Sequence, residues 1–332
     1  MTFNEHVNAL RSRIFQVKQD TFDKLALEIF RFQFQYNEVY RSYAELLKRT
    51  PESVNSVKQI PFLPVSFYKS HRVLCGEKYD AVFESSATTG QTPSKHYVAD
   101  VKLYEESFLK CFNLFFGTPE KYCMLMLLPS YLERQHSSLV YMADVLIKQS
   151  KNPLSSFYLY DYEKLHNTIQ QLEEHNQPYL LLGVTFALLE FSEKFPLAIS
   201  SNGIVIETGG MKGRGKEMVR EELHTILKDR FKVQHVFSEY GMTELLSQAY
   251  MKDDGKFHCP PWMKVMTRDA YNPLSILNNE QQGGINVIDF ANLHSCSFIE
   301  TGDVGKVYAD GAFEVSGRLD SSEIRGCNLM VS

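Results

Sequence analysis

A chain of 332 residues with 44% hydrophobic and 23% charged residues has the make-up of a globular protein, long enough for one large domain or two. A net charge of −5 argues against a dedicated nucleic-acid binder, although the stretch 211–232 is locally basic. No apolar run reaches the roughly 18–20 residues of a membrane span. Met1–His6 lacks the layout of a signal peptide, and the cysteines stand singly with no C-x-x-C, so a cytoplasmic protein with reduced thiols is expected.

Residues 4–48 read as helical. Phe22, Leu25, Ala26, Ile29, Phe30 and Phe34, then Tyr36, Tyr40, Tyr43 and Leu47, recur at three- and four-residue spacing, and their aromatic density predicts packing onto the main body. Thr50-Pro51 breaks the pattern. The prolines of Ile60–Lys69 impose an extended path, on which Lys69 reads as a solvated side chain. Tyr79–Glu84 and His96–Val98 read as the strands of a hairpin. Their connection, Ser85 to Lys95, is a run of hydroxyls with a glycine and a lysine and no apolar side chain larger than alanine. Backbone N–H groups, hydroxyls and an ammonium on one loop make an anion cradle suited to polyphosphate; a solvated Ser/Thr turn is the plainer alternative.

Leu103–Phe116 is periodic and helical, and Tyr122–Leu128 is a continuous apolar run ended by Pro129, as in a strand buried on both faces. The polar loop 130–138 after it, with His136 as a candidate substrate-pocket residue, sits where open α/β sheets place ligands. Alternation continues: helix 138–149, strand 157–160, helix 161–175, strand 179–183, helix 184–194, strand 203–207, helix 216–230, strand 234–237. This pattern predicts parallel βαβ units in a layered α/β domain over 1–246, and the Gly-, Asn- and Pro-punctuated short strands after 247 predict a β-rich subdomain over 247–332.

Chemistry concentrates in stretches that follow strands. Thr208–Glu217 brings Gly209, Gly210, Lys212, Arg214 and Lys216 to a helix start, a candidate nucleotide loop. Its spacing matches a Walker A pattern, but Glu217 stands where a Mg²⁺-binding hydroxyl is needed, which rejects a P-loop NTPase. Ser238–Glu244 gathers an aromatic, a hydroxyl and a carboxylate, and Glu300–Asp303 offers a carboxylate on a turn suited to two ribose hydroxyls. His258, Cys259, His294 and Cys296 are the residues with metal-ligand chemistry, but their spacing is unpatterned and zinc is not expected.

Taken in order, these stretches resemble the acyl-adenylate-forming enzymes. Ser85–Lys95 is similar to their Ser-Ser/Gly-Gly-Thr-Thr-Gly-x-Pro-Lys signature and Tyr240-Gly241-Met242-Thr243-Glu244 to Tyr-Gly-x-Thr-Glu. Thr301-Gly302-Asp303 and Gly317-Arg318-Leu319-Asp320 resemble the ribose and hinge motifs. Phe62-Leu63-Pro64 and Gly209–Lys212 are most similar to the acyl-protein synthetases of bacterial bioluminescence, with phenylacetate–coenzyme A ligases next.

The resemblance implies the large layered α/β N-terminal domain of that superfamily. It also implies ATP- and Mg²⁺-dependent activation of a carboxylic acid as acyl-AMP, then transfer to a thiol or other acceptor such as coenzyme A, a carrier protein or a partner enzyme. By the same resemblance, Ser85, Ser86, Thr88, Thr89, Gly90 and Lys95 serve the pyrophosphate, Glu244 the Mg²⁺ and Thr243 the α-phosphate. Gly209, Gly210, Tyr240 and Gly241 flank adenine, Asp303 and Arg318 hold ribose, and Cys327 near the C-terminus is a candidate acyl acceptor.

The chain departs from the pattern at Ala87, where glycine is common, and at Lys95, displaced by Pro93-Ser94. The sequence ends just past the hinge motif, so the small domain with the family's catalytic lysine is not expected within it; Lys212, Arg214 or Lys69, or a partner protein, would then supply the basic group. Two alternatives stand beside adenylation: an acyltransferase using a preformed thioester, and a non-catalytic nucleotide-binding subunit.

Overall fold

The computed structural model describes residues 2–86, 92–128, 136–209, 218–252 and 254–319. It opens with helices α1 (Phe3–Ile14), α2 (Gln19–Tyr36) and α3 (Glu38–Leu46). The Thr2 hydroxyl accepts from the Glu5 N–H while the Glu5 carboxylate accepts from the Thr2 N–H, a reciprocal cap that starts α1. Helix α2 buries Phe22, Leu25, Ala26, Ile29, Phe30 and Phe32. Phe22 stacks on Phe290 with ring centroids 4.4 Å apart, so this layer is docked on the body of the protein.

Strand β1 (Leu63–Pro64) and the short helix α4 (Phe67–Ser70) lead to an antiparallel hairpin of β2 (Ala81–Glu84) and β3 (Lys95–Val98), in register from Ala81↔Val98 to Glu84↔Lys95. Helix α5 (Val101–Phe116) begins at Asp100, whose carboxylate accepts from the Leu103 N–H. It stops at Gly117, whose φ of 85° a side chain would resist.

Five parallel strands follow with helices between them: β4 (Cys123–Leu127), α6 (Ser138–Ser150), β5 (Ser156–Phe157), α7 (Tyr162–Glu174) and β6 (Tyr179–Gly183). Next come α8 (Thr185–Lys194), β7 (Gly203–Glu207), α9 (Arg220–Phe231) and β8 (Phe237–Tyr240). Every residue of β4 and β6 is buried, which is why both read as unbroken apolar runs.

The remaining strands are β9 (Ala249–Met251), β10 (Phe257–His258), β11 (Met263–Arg268), β12 (Gln282–Asp289), β13 (Phe298–Val307) and β14 (Phe313–Arg318). They extend the same sheet in the order β11-β12-β13-β14-β10-β9-β8-β7-β6-β4-β5, with β1 parallel to β13. The seam between the parallel and antiparallel halves is the β8–β9 pair, Glu239↔Tyr250 and Tyr240↔Ala249, so hydrogen bonding is continuous across residues 246/247.

The layered α/β architecture expected from the sequence is present, with local corrections: Glu300–Asp303, expected as a turn, lies within β13, and Phe67–Lys69, expected as extended, belongs to α4. The strand expected over 234–237 runs from Phe237 to Tyr240, because its ladder to β7 begins at Ile206↔Phe237. Ser238, Glu239 and Tyr240 are therefore strand residues, not the start of a loop. The strand expected over 157–160 ends at Phe157, and Tyr160 is exposed in a turn. Among the described residues no helix is long and apolar enough to cross a membrane.

Candidate active site

The site forms at the seam of the sheet, where the end of β8 meets the β13–β14 ribbon. Tyr240 is buried, and its hydroxyl donates to Asp303 Oδ2 at 2.9 Å. Burial, with Asp303 beside it, raises the Tyr240 phenol well above its ordinary value and keeps it a donor. Asp303 pairs in register with Arg318, whose Nε donates to Asp303 Oδ1 at 3.2 Å while most of the guanidinium faces solvent.

The Thr301–Gly302–Asp303 backbone is held from behind by a buried arginine. Arg268 Nη2 donates to the Thr301 carbonyl at 2.8 Å, and Nη1 donates to the Ile285 carbonyl at 2.7 Å and Asn286 Oδ1 at 3.0 Å. Glu300 lies 3.5 Å from the same guanidinium. The Thr301 hydroxyl donates to the Ile285 carbonyl and accepts from the Asp303 N–H, so the segment expected as a turn is a side-chain-braced stretch of strand β13.

After Tyr240 the chain turns through Gly241, Met242, Thr243 and Glu244, and buried polar groups grip the turn's backbone. The His96 ring contributes Nδ1 at 2.9 Å to the Thr243 carbonyl, and Asn292 Nδ2 donates to the Glu244 carbonyl at 2.7 Å. Asp289 accepts from the N–H groups of Leu246 and Ser247, both at 2.9 Å, and from the Ser247 hydroxyl at 2.6 Å. Burial pushes the Asp289 carboxyl up to about 6 even against those bonds.

The Glu244 side chain is buried as well. Desolvation raises its carboxyl above the ordinary range, opposed by the Ser94 hydroxyl, its own backbone and the positive charges of Arg318 and Lys69. Ser94 belongs to the hairpin connection and Arg318 to β14, so Glu244 stands where three motif-bearing segments converge. Lys69, read from the sequence as solvated, is an exposed side chain whose charge nevertheless reaches this carboxyl.

At the mouth of the hairpin the Ser94 N–H donates to Ser85 Oγ at 2.9 Å, and the Ser85 N–H donates to the Ser94 carbonyl at 3.0 Å. Those bonds close the neck of the hydroxyl run. Ser86 is exposed, and the Lys95 ammonium lies 3.3 Å from Glu84 across the hairpin. His136 is exposed, and its carbonyl accepts from the Glu84 N–H at 2.8 Å. Thr88, Thr89, Gly90, Gly210, Lys212 and Cys327 lie outside the described residues.

Gly209 opens the loop after β7 with φ of 71°, and its N–H donates to Glu207 Oε2 at 2.6 Å. Glu207 is buried and also accepts from the hydroxyls of Ser238 at 2.5 Å and Thr185 at 3.2 Å. Arg220 Nε lies 3.6 Å from it. Burial raises this carboxyl, but His224, Ser238, Arg220 and the Gly209 N–H outweigh burial and hold it below the ordinary value. The side chain of Glu239, next along β8, has no hydrogen bond to a described residue; desolvation and the charge of Glu207 push its carboxyl up to about 8.

Of the residues singled out from the sequence, the structure thus gathers Tyr240, Thr243, Glu244, Asp303 and Arg318, with the hairpin neck beside them and Gly209 at the end of the adjoining strand β7. His96, Asn292, Asp289, Arg268 and Glu207 were not singled out. Each is a polar residue inside or beside an apolar run, as in Ile288-Asp289-Phe290, and that is the signal that marks them. Among the described residues no group of three or more His, Cys, Asp or Glu is placed to hold a metal ion without help from a ligand.

The sheet is long and mixed, with parallel βαβ units at one end and an antiparallel ribbon at the other. Solved structures share it. The 2-hydroxyisobutyryl-CoA ligase in its postadenylation state matches with a TM-score of 0.66 over 93% of this chain and 70% of that one, at 11% identity. ATP-bound MatB from Rhodopseudomonas palustris matches with a TM-score of 0.54 over 72% of this chain and 48% of that one, at 18% identity. The chain spans about half the length of MatB.

Sequence comparison gives a more specific likeness. Residues 11–110 match the family model described as acyl-protein synthetase, LuxE. The long-chain-fatty-acid–luciferin-component ligase of Aliivibrio fischeri is 22% identical over 348 residues, spanning 96% of this chain and 89% of its own length. The chain is thus similar to the acyl-protein synthetases over residues 11–110 and to this ligase over nearly its whole length.

Proposed function

We propose that this protein uses ATP and Mg²⁺ to activate a long-chain fatty acid as acyl-AMP, and passes the acyl group to a thiol or a partner protein. The observation that carries the reading is the bonding of separate motif segments to one another: Tyr240 to Asp303, Asp303 to Arg318, and His96 of the hairpin strand β3 to the Thr243 carbonyl next to Glu244. Links between segments so distant in sequence support a shared site. The ligase activity of the Aliivibrio fischeri relative supplies the acid class.

In this reading Asp303 and Arg318 take the ribose hydroxyls, Tyr240, Gly241 and Gly209 flank adenine, and Thr243 meets the α-phosphate. Ser85, Ser86, Thr88, Thr89 and Gly90 cradle the pyrophosphate, with Lys95 swinging from Glu84 to join them. A buried carboxylate raised by desolvation and lacking an ion pair among the described residues fits Mg²⁺, which would bind to Glu244 and to phosphate oxygens. A cation held there would supply charge neutralisation; the chain's own groups position the two reactants and stabilise the transition state. Residues 1–246 and 247–332 then act as one adenylating unit, and Lys212 and Cys327 are carried forward as a candidate basic group and a candidate acyl acceptor.

The test is acid-dependent ATP–pyrophosphate exchange with a series of fatty acids, for the wild type and Glu244→Gln. Exchange is expected in the wild type and a loss of roughly 100-fold or more in the variant, with unchanged thermal unfolding. Equal exchange in both would remove Glu244 from the site. Nucleotide binding without exchange would favour a non-catalytic nucleotide-binding subunit, and acyl transfer only from a preformed thioester would favour the acyltransferase alternative.

A further inference from the structure

We propose that His96 is a positioning residue for the activation step: it fixes the turn carrying Thr243 and Glu244 against the hairpin that presents the hydroxyl run. The inference rests on the adenylating function above. His96 is buried, and both ring nitrogens are engaged: Nδ1 with the Thr243 carbonyl at 2.9 Å and Nε2 with the Ser295 hydroxyl at 2.8 Å. A carbonyl only accepts, so Nδ1 carries the proton and Nε2 accepts from Ser295.

Burial pushes the imidazole down to about 4, so this neutral tautomer persists at any working pH. The edge of the Tyr68 ring, 5.4 Å away by centroid, closes the remaining side. A histidine that merely filled the core would need no particular partner. This one starts on β3, directly after Lys95, and reaches a motif turn 147 residues away. Ser295, its other partner, is held in turn by its neighbours: the Asn37 side chain donates to the Ser295 carbonyl at 2.8 Å. The ring therefore transmits the position of β3 to the backbone of Thr243, on which the α-phosphate contact depends.

Two replacements separate positioning from bulk. His96→Asn keeps an N–H near the place of Nδ1, and His96→Gln places its amide near Nε2 and abandons Thr243. In acid-dependent pyrophosphate exchange the asparagine variant is expected to keep kcat within about 3-fold, whereas the glutamine variant loses roughly 10- to 100-fold in kcat, the scale set by small misplacements of reacting groups. Amide hydrogen exchange of a peptide covering 241–247 reads the same bond without turnover: it should accelerate in the glutamine variant and not in the asparagine variant, at matched thermal stability.

Equal kcat and equal protection in the two variants would overturn the proposal. A wild type without exchange activity would sink the adenylating function, while the 241–247 protection would still decide whether His96 holds the turn. Should neither histidine variant fold, Ser295→Ala, which leaves Nε2 unpaired and the ring less oriented, must raise exchange in 241–247; unchanged protection there would overturn the proposal.

Discussion

The parallel strands β4 and β6 and the loop cluster behind residues 243–247 are both buried, but by opposite chemistry. In the strands every residue is excluded from water and all are apolar apart from the Tyr179 hydroxyl, so stability comes from transfer and packing. Behind the turn the enclosed groups are His96, Asp289, Asn292 and Ser295, and what holds them is a set of directed bonds. Apolar burial tolerates a shifted neighbour, whereas a carboxylate with several donors does not. The difference separates a region that keeps the protein folded from one that keeps the 243–247 turn in register.

The largest expected effect tests that separation directly. Asp289→Ala strands the N–H groups of Leu246 and Ser247 and should cost about 4 kcal/mol in denaturant unfolding, with a collapse of exchange activity in the molecules that remain folded. Leu181→Ala, in the middle of β6, should cost about 3 kcal/mol and leave the activity per folded molecule near wild type. If the leucine variant lost as much specific activity as the aspartate variant, the two regions would not differ in the way described.

A smaller effect follows from His96. Its folded-state value of about 4 lies below the ordinary 6.5, so the fold favours the neutral ring. The resulting stability is complete above about pH 6.5 and is lost as pH falls towards 4, a span of about 3 kcal/mol. Asp289 works in the other direction: its raised value of about 6 makes its contribution greatest at low pH and removes it as pH rises through 6. Wild type and His96→Asn compared from pH 7 to 4 isolate the histidine, and the variant should show the shallower acid loss. Parallel curves would mean that the ring is not neutral in the fold.

The smallest effect lies at the surface. Lys95→Ala breaks an exposed pair with Glu84 and should change stability by less than about 1 kcal/mol, diminishing further in salt. If Lys95 serves the pyrophosphate as proposed, exchange activity should fall far more than stability does. Loss of stability with intact activity would assign the lysine to the hairpin alone.

Much of this architecture was legible because it rests on local pattern. Cys123–Leu127 and Tyr179–Gly183 are unbroken apolar runs, α2 shows its stripe of aromatics, and Ser85–Lys95 is too polar for the core. The Tyr240, Glu244 and Asp303 segments were legible through resemblance, since no local rule brings a tyrosine hydroxyl to a carboxylate 63 residues away. The boundary of β8 was misplaced because Ser238 and Glu239 look like loop residues, and only the β7 ladder and the Glu207 carboxylate make them strand. His96 and Arg268 were passed over for a related reason: a lone polar residue in a strand acquires meaning only from partners distant in sequence.

Gln33 of α2 donates to the Asn292 and Leu293 carbonyls across 259 and 260 residues, and its own carbonyl accepts from the Ser297 N–H. Helix α2 must therefore wait for the synthesis of residues some 260 positions further on before the segment 289–297 can settle behind Thr243 and Glu244. Such distant closure is slow, so nascent chains should acquire their compact parallel half well before they acquire affinity for nucleotide.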